Sequence, residues 1–137
     1  MRMDNTLKGS FILNDKGVLK IEFQNKDAAR SKRVSKYTYD IKFNEETVKM
    51  GYTEQSPHNS AKFIEKRGYT QPSKTTEKMS DEIKKCLESG GKVGIEYTEH
   101  LNTVTTTKDI NKKRLKEHKE KYGEYPKYNK QIAGKKW

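Results

Sequence analysis

The clearest strand signal in the chain is the heptapeptide YTYDIKF, residues 37–43. Its aromatic and aliphatic positions alternate with polar ones, which is the period-two pattern of a β-strand with one buried face. Tyr37, Tyr39, Ile41 and Phe43 would therefore point to a core. A sheet built around this strand decides the fold class, because its apolar face has to be covered by other elements.

The same alternation recurs on both sides of this strand. Upstream, the alternating segments 7–13 and 19–23 flank a turn in which Gly17 can adopt a left-handed conformation, and together they predict a β-hairpin. Downstream, a turn near residues 44–46 leads to a fourth strand, whose expected core-facing residues are Val48, Met50 and Tyr52. We therefore predict a four-stranded antiparallel meander over residues 6–53.

Two segments with helical spacing are available to cover this sheet. The first spans residues 59–66, and the second spans 76–89 and ends at a pair of glycines. Alternation then returns in residues 92–99, and the β-branched run 103–107 follows a turn, so we predict a second hairpin. One alternative is a winged-helix arrangement, in which the second helix reads a nucleic acid and the second hairpin is the wing.

The end of the chain predicts a basic helix followed by an extended arm. Asp109 can cap a helix that runs to about Tyr122, where Gly123 stops it. Its apolar positions are few, and the expected buried anchors are Ile110, Leu115 and Tyr122. The predicted fold is thus α+β, with one domain over residues 1–123, mainly antiparallel sheet covered by two or three helices, and a basic, aromatic C-terminal arm over 124–137.

Charge is concentrated in this last part of the chain. The net charge is +11, and eleven of the 30 lysine and arginine residues lie after position 107, beside tyrosines and a tryptophan. Such a field attracts polyanions, and aromatic rings offer faces on which unpaired bases stack. A second basic run, within residues 25–36, is either a solvated loop or a further phosphate-contacting patch. The predicted partner-binding residues are Lys112, Lys113, Arg114, Lys116, Lys119, Tyr125, Lys127, Tyr128, Lys130, Lys135, Lys136 and Trp137, with Arg30, Lys32 and Arg33 in the second run.

No arrangement of residues predicts catalysis. The three histidines are widely spaced, and the sequence shows neither a nucleophile with a base nor a metal-binding motif. Glu82-Ile83-Lys84 has the spacing of one class of nuclease site but lies on a predicted helix, and the glycines after it lack the spacing of a phosphate-binding loop. Cys86 has no cysteine partner, and we interpret it as a small buried residue. We expect a non-enzymatic protein without a metal or a cofactor.

The sequence also bears on location and partner. It has no apolar run of about 18 residues and no secretory apolar stretch at its start, so we expect a cytoplasmic protein that does not bind membranes. Arginine, which reads guanine bidentately, is scarce, and this favours binding to nucleic-acid backbone or shape over base readout. Our first hypothesis is a small protein that binds nucleic acid or a nucleoprotein through the basic helix and the Tyr/Lys arm.

The alternative hypothesis is an inhibitor that acts by protein–protein contact. In size, charge and lack of catalytic residues the chain resembles phage and mobile-element accessory proteins, including inhibitors of host defence complexes of the anti-CRISPR type. In that case the basic surface would cover an acidic protein face. Tyr122, Tyr125 and Tyr128 also have an alternative role, because tyrosine commonly packs chain ends onto sheets.

Overall fold

The computed structural model describes residues 6–25, 29, 36–67, 74–100, 105–127 and 129. The strands in this part of the chain are β1 (Thr6–Leu13), β2 (Leu19–Phe23), β3 (Tyr37–Phe43), β4 (Glu46–Thr53) and β5 (Val93–Glu99), and the helices are α1 (Pro57–Arg67), α2 (Lys74–Glu88) and α3 (Thr107–Tyr122). All strand pairs are antiparallel, and the order across the sheet is β2-β1-β5-β3-β4. The α+β class is therefore confirmed, as one five-stranded sheet packed against three helices.

The predicted four-stranded meander is wrong, because β5 lies between the two N-terminal hairpins. The hairpins β1–β2 and β3–β4 form as expected, but β1 and β3 do not pair with each other among the described residues. Leu7 of β1 and Tyr39 of β3 both pair with Tyr97 of β5. Alternation identifies a strand and its buried face, but it does not identify the neighbour with which the strand pairs.

The predicted second hairpin and the winged-helix alternative are also wrong. Strand β5 is central in the sheet, so it cannot belong to a projecting wing. Thr107 begins helix α3, and Thr105 and Thr106 precede that helix outside any strand, while residues 103–104 lie outside the described part. Thr106 caps the helix, since its hydroxyl oxygen accepts the Asp109 N–H at 3.2 Å. The hydrogen bond that caps the helix thus outweighs the preference of the threonines for a strand. Asp109, which was predicted to cap the helix, lies in its first turn.

One face of the sheet carries the hydrophobic core. Ile41 of β3 and Ile95 of β5 lie on this face, and Ile64 of α1 and Ile83 of α2 pack into the same cluster. Burial of each such side chain contributes roughly 1.5–3 kcal/mol. Cys86 of α2 is half-buried against this core, so it is less buried than expected. The prediction that two helices cover the apolar face of the sheet is confirmed.

Tyr97 occupies the centre of this core and is fully buried. The rings of Phe23, Tyr37 and Tyr39 surround it at centroid distances between 5.6 and 6.3 Å. Its hydroxyl donates a hydrogen bond to Ser60 Oγ at 2.8 Å, which satisfies a polar group that would otherwise be costly to bury. Burial raises the pKa of Tyr97 above the ordinary range of a phenol, and the bond to Ser60 opposes that shift.

Strand β4 does not have the register that its alternation predicts. Its pairing with β3 shifts after Ile41, so that Lys49 lies opposite Ile41 and Gly51 lies opposite Tyr39 on the core face. A β-carbon at position 51 would overlap the Tyr39 ring, so glycine makes room for it. Met50 consequently points to the other face of the sheet, contrary to the prediction. Lys49 is only 4% exposed, and burial lowers its pKa to about 8.

Helix α3 packs on that other face, against β3 and β4. Its buried residues are Thr107 and Asn111, whereas the expected anchor Tyr122 is 62% exposed. The contacts are polar because Asp40 on this face pairs with Arg114, and Arg114 also donates to Asn111 Oδ1 at 2.7 Å. These residues form a polar stripe along α3, which apolar periodicity does not predict.

In the described residues no helix combines the length and apolar character needed to cross a membrane.

Candidate functional site

The polar stripe of α3 determines which of its side chains face outward. With Asn111 and Arg114 held against the sheet, the exposed residues Lys112, Lys116 and Lys119 follow one flank at the spacing i, i+4 and i+7. At a rise of 1.5 Å per residue these three lysines span roughly 10 Å of helix. The predicted basic surface of the helix is therefore a defined row of side chains.

A short segment after α3 runs back along the helix. Gly123 ends the helix in a left-handed conformation at φ 86°, and its N–H donates to Lys119 O at 2.7 Å, as the sequence predicts for a glycine stop. The backbone carbonyl of Glu124 then lies 3.0 Å from His118 Nδ1. Pro126 is buried, so this part of the chain packs against the domain.

Asn129 fixes the far end of this segment. Its side-chain oxygen accepts the Met50 N–H at 2.7 Å, and its side-chain nitrogen donates to Met50 O at 2.9 Å. Asn111 of α3 reaches the same carbonyl oxygen at 3.4 Å. Helix α3, the edge of the sheet and residue 129 therefore meet at one point. The division into a domain over 1–123 and an arm over 124–137 stays a prediction, but the described arm residues contact the domain.

Helix α3 and this segment enclose a groove of about 800 Å³, which we call the α3 groove. Its described lining consists of Lys112, Lys113, Leu115, Lys116, Lys119, Glu120, Tyr125 and Asn129. Leu115 was expected to be a buried anchor, but it is half-buried and supplies apolar surface to the groove. The lining therefore combines apolar surface with several cationic groups.

Four ammonium groups face a single carboxylate, that of Glu120, in the α3 groove. Within the described part of the chain none of these four lysines forms an ion pair. Lys119 Nζ lies 5.0 Å from the centroid of the Tyr125 ring, in the geometry of a cation–π contact. The groove therefore carries a concentrated positive charge beside an aromatic ring.

Other predicted site residues lie elsewhere. Arg114 faces the sheet and pairs with Asp40, so it does not line the α3 groove. Lys127 forms an ion pair of 2.8 Å with Glu82 of α2. Both remain predictions as binding residues. The predicted residues Arg30, Lys32, Arg33, Tyr128, Lys130, Lys135, Lys136 and Trp137 lie outside the described part of the chain.

A second concavity of about 740 Å³ lies beyond Tyr125. Its described lining consists of Glu45, Glu46, Thr47, His118, Tyr122, Glu124, Tyr125, Pro126 and Lys127. Three carboxylates, those of Glu45, Glu46 and Glu124, face one lysine here, so this surface is mainly acidic, in contrast to the α3 groove. The His118 and Tyr122 rings lie 4.6 Å apart at its wall. Tyr125 borders both concavities.

Side chains that could bind a metal ion or take part in catalysis lie far apart in the described part of the chain. In that part of the chain no three His, Cys, Asp or Glu side chains cluster in a way that could hold a metal ion. His100 contacts the Thr38 hydroxyl at 2.9 Å, and its pKa is lowered by burial and by the charge of Arg114. Glu82 and Lys84 lie on helix α2, as expected, and Gly90 takes a left-handed conformation where that helix ends.

Sequence reasoning located the lysines of the α3 groove but missed Asn111 and Asn129. An asparagine that bonds to backbone groups far along the chain leaves no periodic signal, so these roles become visible only in the folded chain.

In comparisons with known proteins, no family model, no curated protein and no solved structure matches this chain.

Proposed function

We propose that this chain is a small, non-enzymatic cytoplasmic protein that binds nucleic acid, free or in a nucleoprotein, through the α3 groove. One observation carries the proposal, namely that four lysines and one carboxylate line a concave surface that Leu115 and Tyr125 also line. Lysine side chains bind phosphates by releasing condensed counterions, and aromatic rings bind bases. Both kinds of contact are available within one groove.

The arrangement of the lysines favours a polyanion. Lys112 and Lys116 are four residues apart on the helix, and Lys116 and Lys119 are three apart, so like charges are neighbours along the flank. A row of phosphates relieves this repulsion. If all four lysines contact phosphates of a single strand, the logarithm of the binding constant falls with the logarithm of salt concentration at a slope of about −3.

Sequence-specific readout is not part of this proposal. Lysine is a flexible point charge, whereas the planar guanidinium of arginine makes the bidentate contacts that distinguish guanine. Arg114 is the arginine of α3, and its guanidinium is engaged by Asp40 and Asn111. We therefore propose binding to backbone and exposed base faces.

Fluorescence anisotropy with labelled DNA and RNA oligonucleotides at low salt tests the proposal. The double variant Lys112→Glu/Lys116→Glu is expected to lose at least tenfold in affinity. The charge-matched control is Lys62→Glu/Lys85→Glu, which changes two exposed lysines on α1 and α2, the helices of the opposite sheet face. The control is expected to change affinity by less than threefold. Absence of wild-type binding to both DNA and RNA would contradict the proposal.

A pull-down from host lysate, with and without nuclease treatment, separates this proposal from the inhibitor alternative. Loss of captured material after nuclease treatment is expected if nucleic acid is the partner. A captured protein that survives nuclease treatment, and that is lost with Lys112→Glu/Lys116→Glu, would identify an acidic protein surface as the ligand of the α3 groove.

A further inference from the structure

We infer that the α3 groove takes a single-stranded nucleic acid, with an unpaired base stacked on Tyr125 and the neighbouring phosphates on the lysine row. This inference rests on the proposed function and specifies the ligand of the same site. It starts from the position of Tyr125, which borders both the α3 groove and the second concavity. A side chain in that position has space beside it for a flat ligand.

The chain is anchored to the domain on both sides of Tyr125. Before it, the carbonyl of Glu124 contacts His118, and after it Pro126 is buried. Asn129 secures the same segment to the edge of β4 through both polar groups of Met50. A ring carried on an anchored segment loses less freedom when a base stacks on it than a ring on a free chain, so more of its stacking energy is retained in the affinity.

The contact between Lys119 and Tyr125 places a movable side chain over one face of the ring. Lys119 Nζ lies 5.0 Å from the ring centroid, and its side chain is exposed on a flexible stem. When a base covers the ring, this ammonium group can move to the adjoining phosphate. Lys119 thus covers the Tyr125 ring in the free protein and contacts a phosphate in the complex.

A duplex fits the groove less well than a single strand. Its bases are paired and stacked inside, and it presents phosphates and groove edges at its surface. Leu115 and Tyr125 would then have no apolar partner in a concavity of about 800 Å³. An unpaired base supplies a flat apolar face, and stacking on an aromatic side chain strengthens binding by roughly tenfold or more.

The test is fluorescence anisotropy of the full chain with three labelled probes of equal length: oligo-dT, the same strand with its central nucleotides abasic, and a duplex. The abasic strand keeps every phosphate and lacks base faces. We expect oligo-dT to bind at least fivefold more tightly than the duplex and about tenfold more tightly than the abasic strand. Tyr125→Leu should abolish the difference between oligo-dT and the abasic strand, and Tyr125→Phe should preserve it.

The outcomes distinguish this inference from the proposal on which it rests. Equal binding of oligo-dT, abasic strand and duplex by the wild type would overturn the single-strand inference and leave nucleic-acid binding intact. Failure to bind any of the three probes, together with binding to a labelled oligo-glutamate peptide, would overturn both. The wild-type comparison of oligo-dT with the abasic strand decides the matter even if Tyr125→Leu fails to fold, which circular dichroism would show.

Discussion

Asn129 bonds to both backbone polar groups of Met50, accepting its N–H at 2.7 Å and donating to its carbonyl at 2.9 Å. Met50 lies on β4, an edge strand of the sheet, where these groups have no neighbouring strand to pair with. One side-chain amide therefore does what a sixth strand would do at this position. It also tethers the segment that carries Tyr125, so the sheet edge and the α3 groove depend on the same contact.

Asn129→Ala is expected to lower the free energy of unfolding by about 1–2 kcal/mol, because it removes the bond to the Met50 N–H. It should also weaken oligonucleotide binding, since the wall of the α3 groove loses its anchor. Urea denaturation and anisotropy measure the two effects. Asn59→Ala, at an exposed position of α1, is the matched control and should change neither quantity appreciably. Unchanged stability of Asn129→Ala would contradict this role.

Arg114→Ala is expected to destabilise the protein by about 2 kcal/mol, because it leaves the partly buried Asp40 without its cation. Arg114→Lys keeps the charge but loses the planar fork, and it should recover only part of this loss. Because Arg114 lies outside the α3 groove, through which we propose binding, both variants should bind oligonucleotides as the wild type does. If Arg114→Lys instead kept full stability and lost affinity, Arg114 would belong to the binding surface.

Lys49 should make stability rise with pH. Its pKa is about 8 in the folded protein against 10.5 for an unperturbed lysine, so between these values the unfolded state binds more protons. The cost of burying the charge, about 3 kcal/mol, is fully present below pH 8 and falls as the pH rises toward 10. Lys49→Met should be more stable than the wild type at pH 7 and should lack this rise.

Urea denaturation between pH 7 and pH 9.5 measures the effect of Lys49. The upper limit matters because the raised pKa of Tyr97 makes stability fall once tyrosines ionise in the unfolded chain, near pH 10. Lys20→Met, at an exposed position on β2, is the control and should keep the wild-type pH dependence. A similar rise in Lys49→Met would show that another group is responsible.

Glu45→Gly is expected to stabilise the protein by about 1 kcal/mol. The turn between β3 and β4 has two residues with positive φ, Asn44 at 50° and Glu45 at 77°. This is the conformation in which Asn-Gly is the preferred pair, and a glutamate in the second position is strained. Glu46→Gly, on strand β4, should instead destabilise the protein. Thermal denaturation of both variants measures the difference, and a lower melting temperature for Glu45→Gly would contradict the prediction.

The sequence predicts local structure better than the arrangement of its parts. The alternation in Tyr37–Phe43 and the glycines after the second helix and after Tyr122 place the elements correctly, because these signals are local. The central place of β5 depends on pairing between residues far apart in the chain, which no local pattern encodes. The register shift of β4 similarly puts Lys49, and not Met50, on the core face.

In the candidate site, too, local features could be predicted from the sequence and the three-dimensional arrangement could not. The lysines at 112, 113, 116 and 119 could be predicted, since a basic helix with few apolar positions exposes most of its side chains. The concave shape could not, because it depends on Asn111 and Asn129, which hold the helix and the returning segment to Met50. Leu115 was misassigned for the same reason, since the anchors of α3 are polar.

The central position of β5 also governs the order in which the sheet can be completed. Both hairpins lie within the first 53 residues, whereas β5 begins only at Val93. During synthesis the two hairpins leave the ribosome before the strand that joins them, and a two-stranded hairpin alone is only marginally stable in water. Until β5 is made, the edges of β1 and β3 that it covers lack their partner strand, and we expect these edges to be the sites at which the nascent chain is exposed to aggregation.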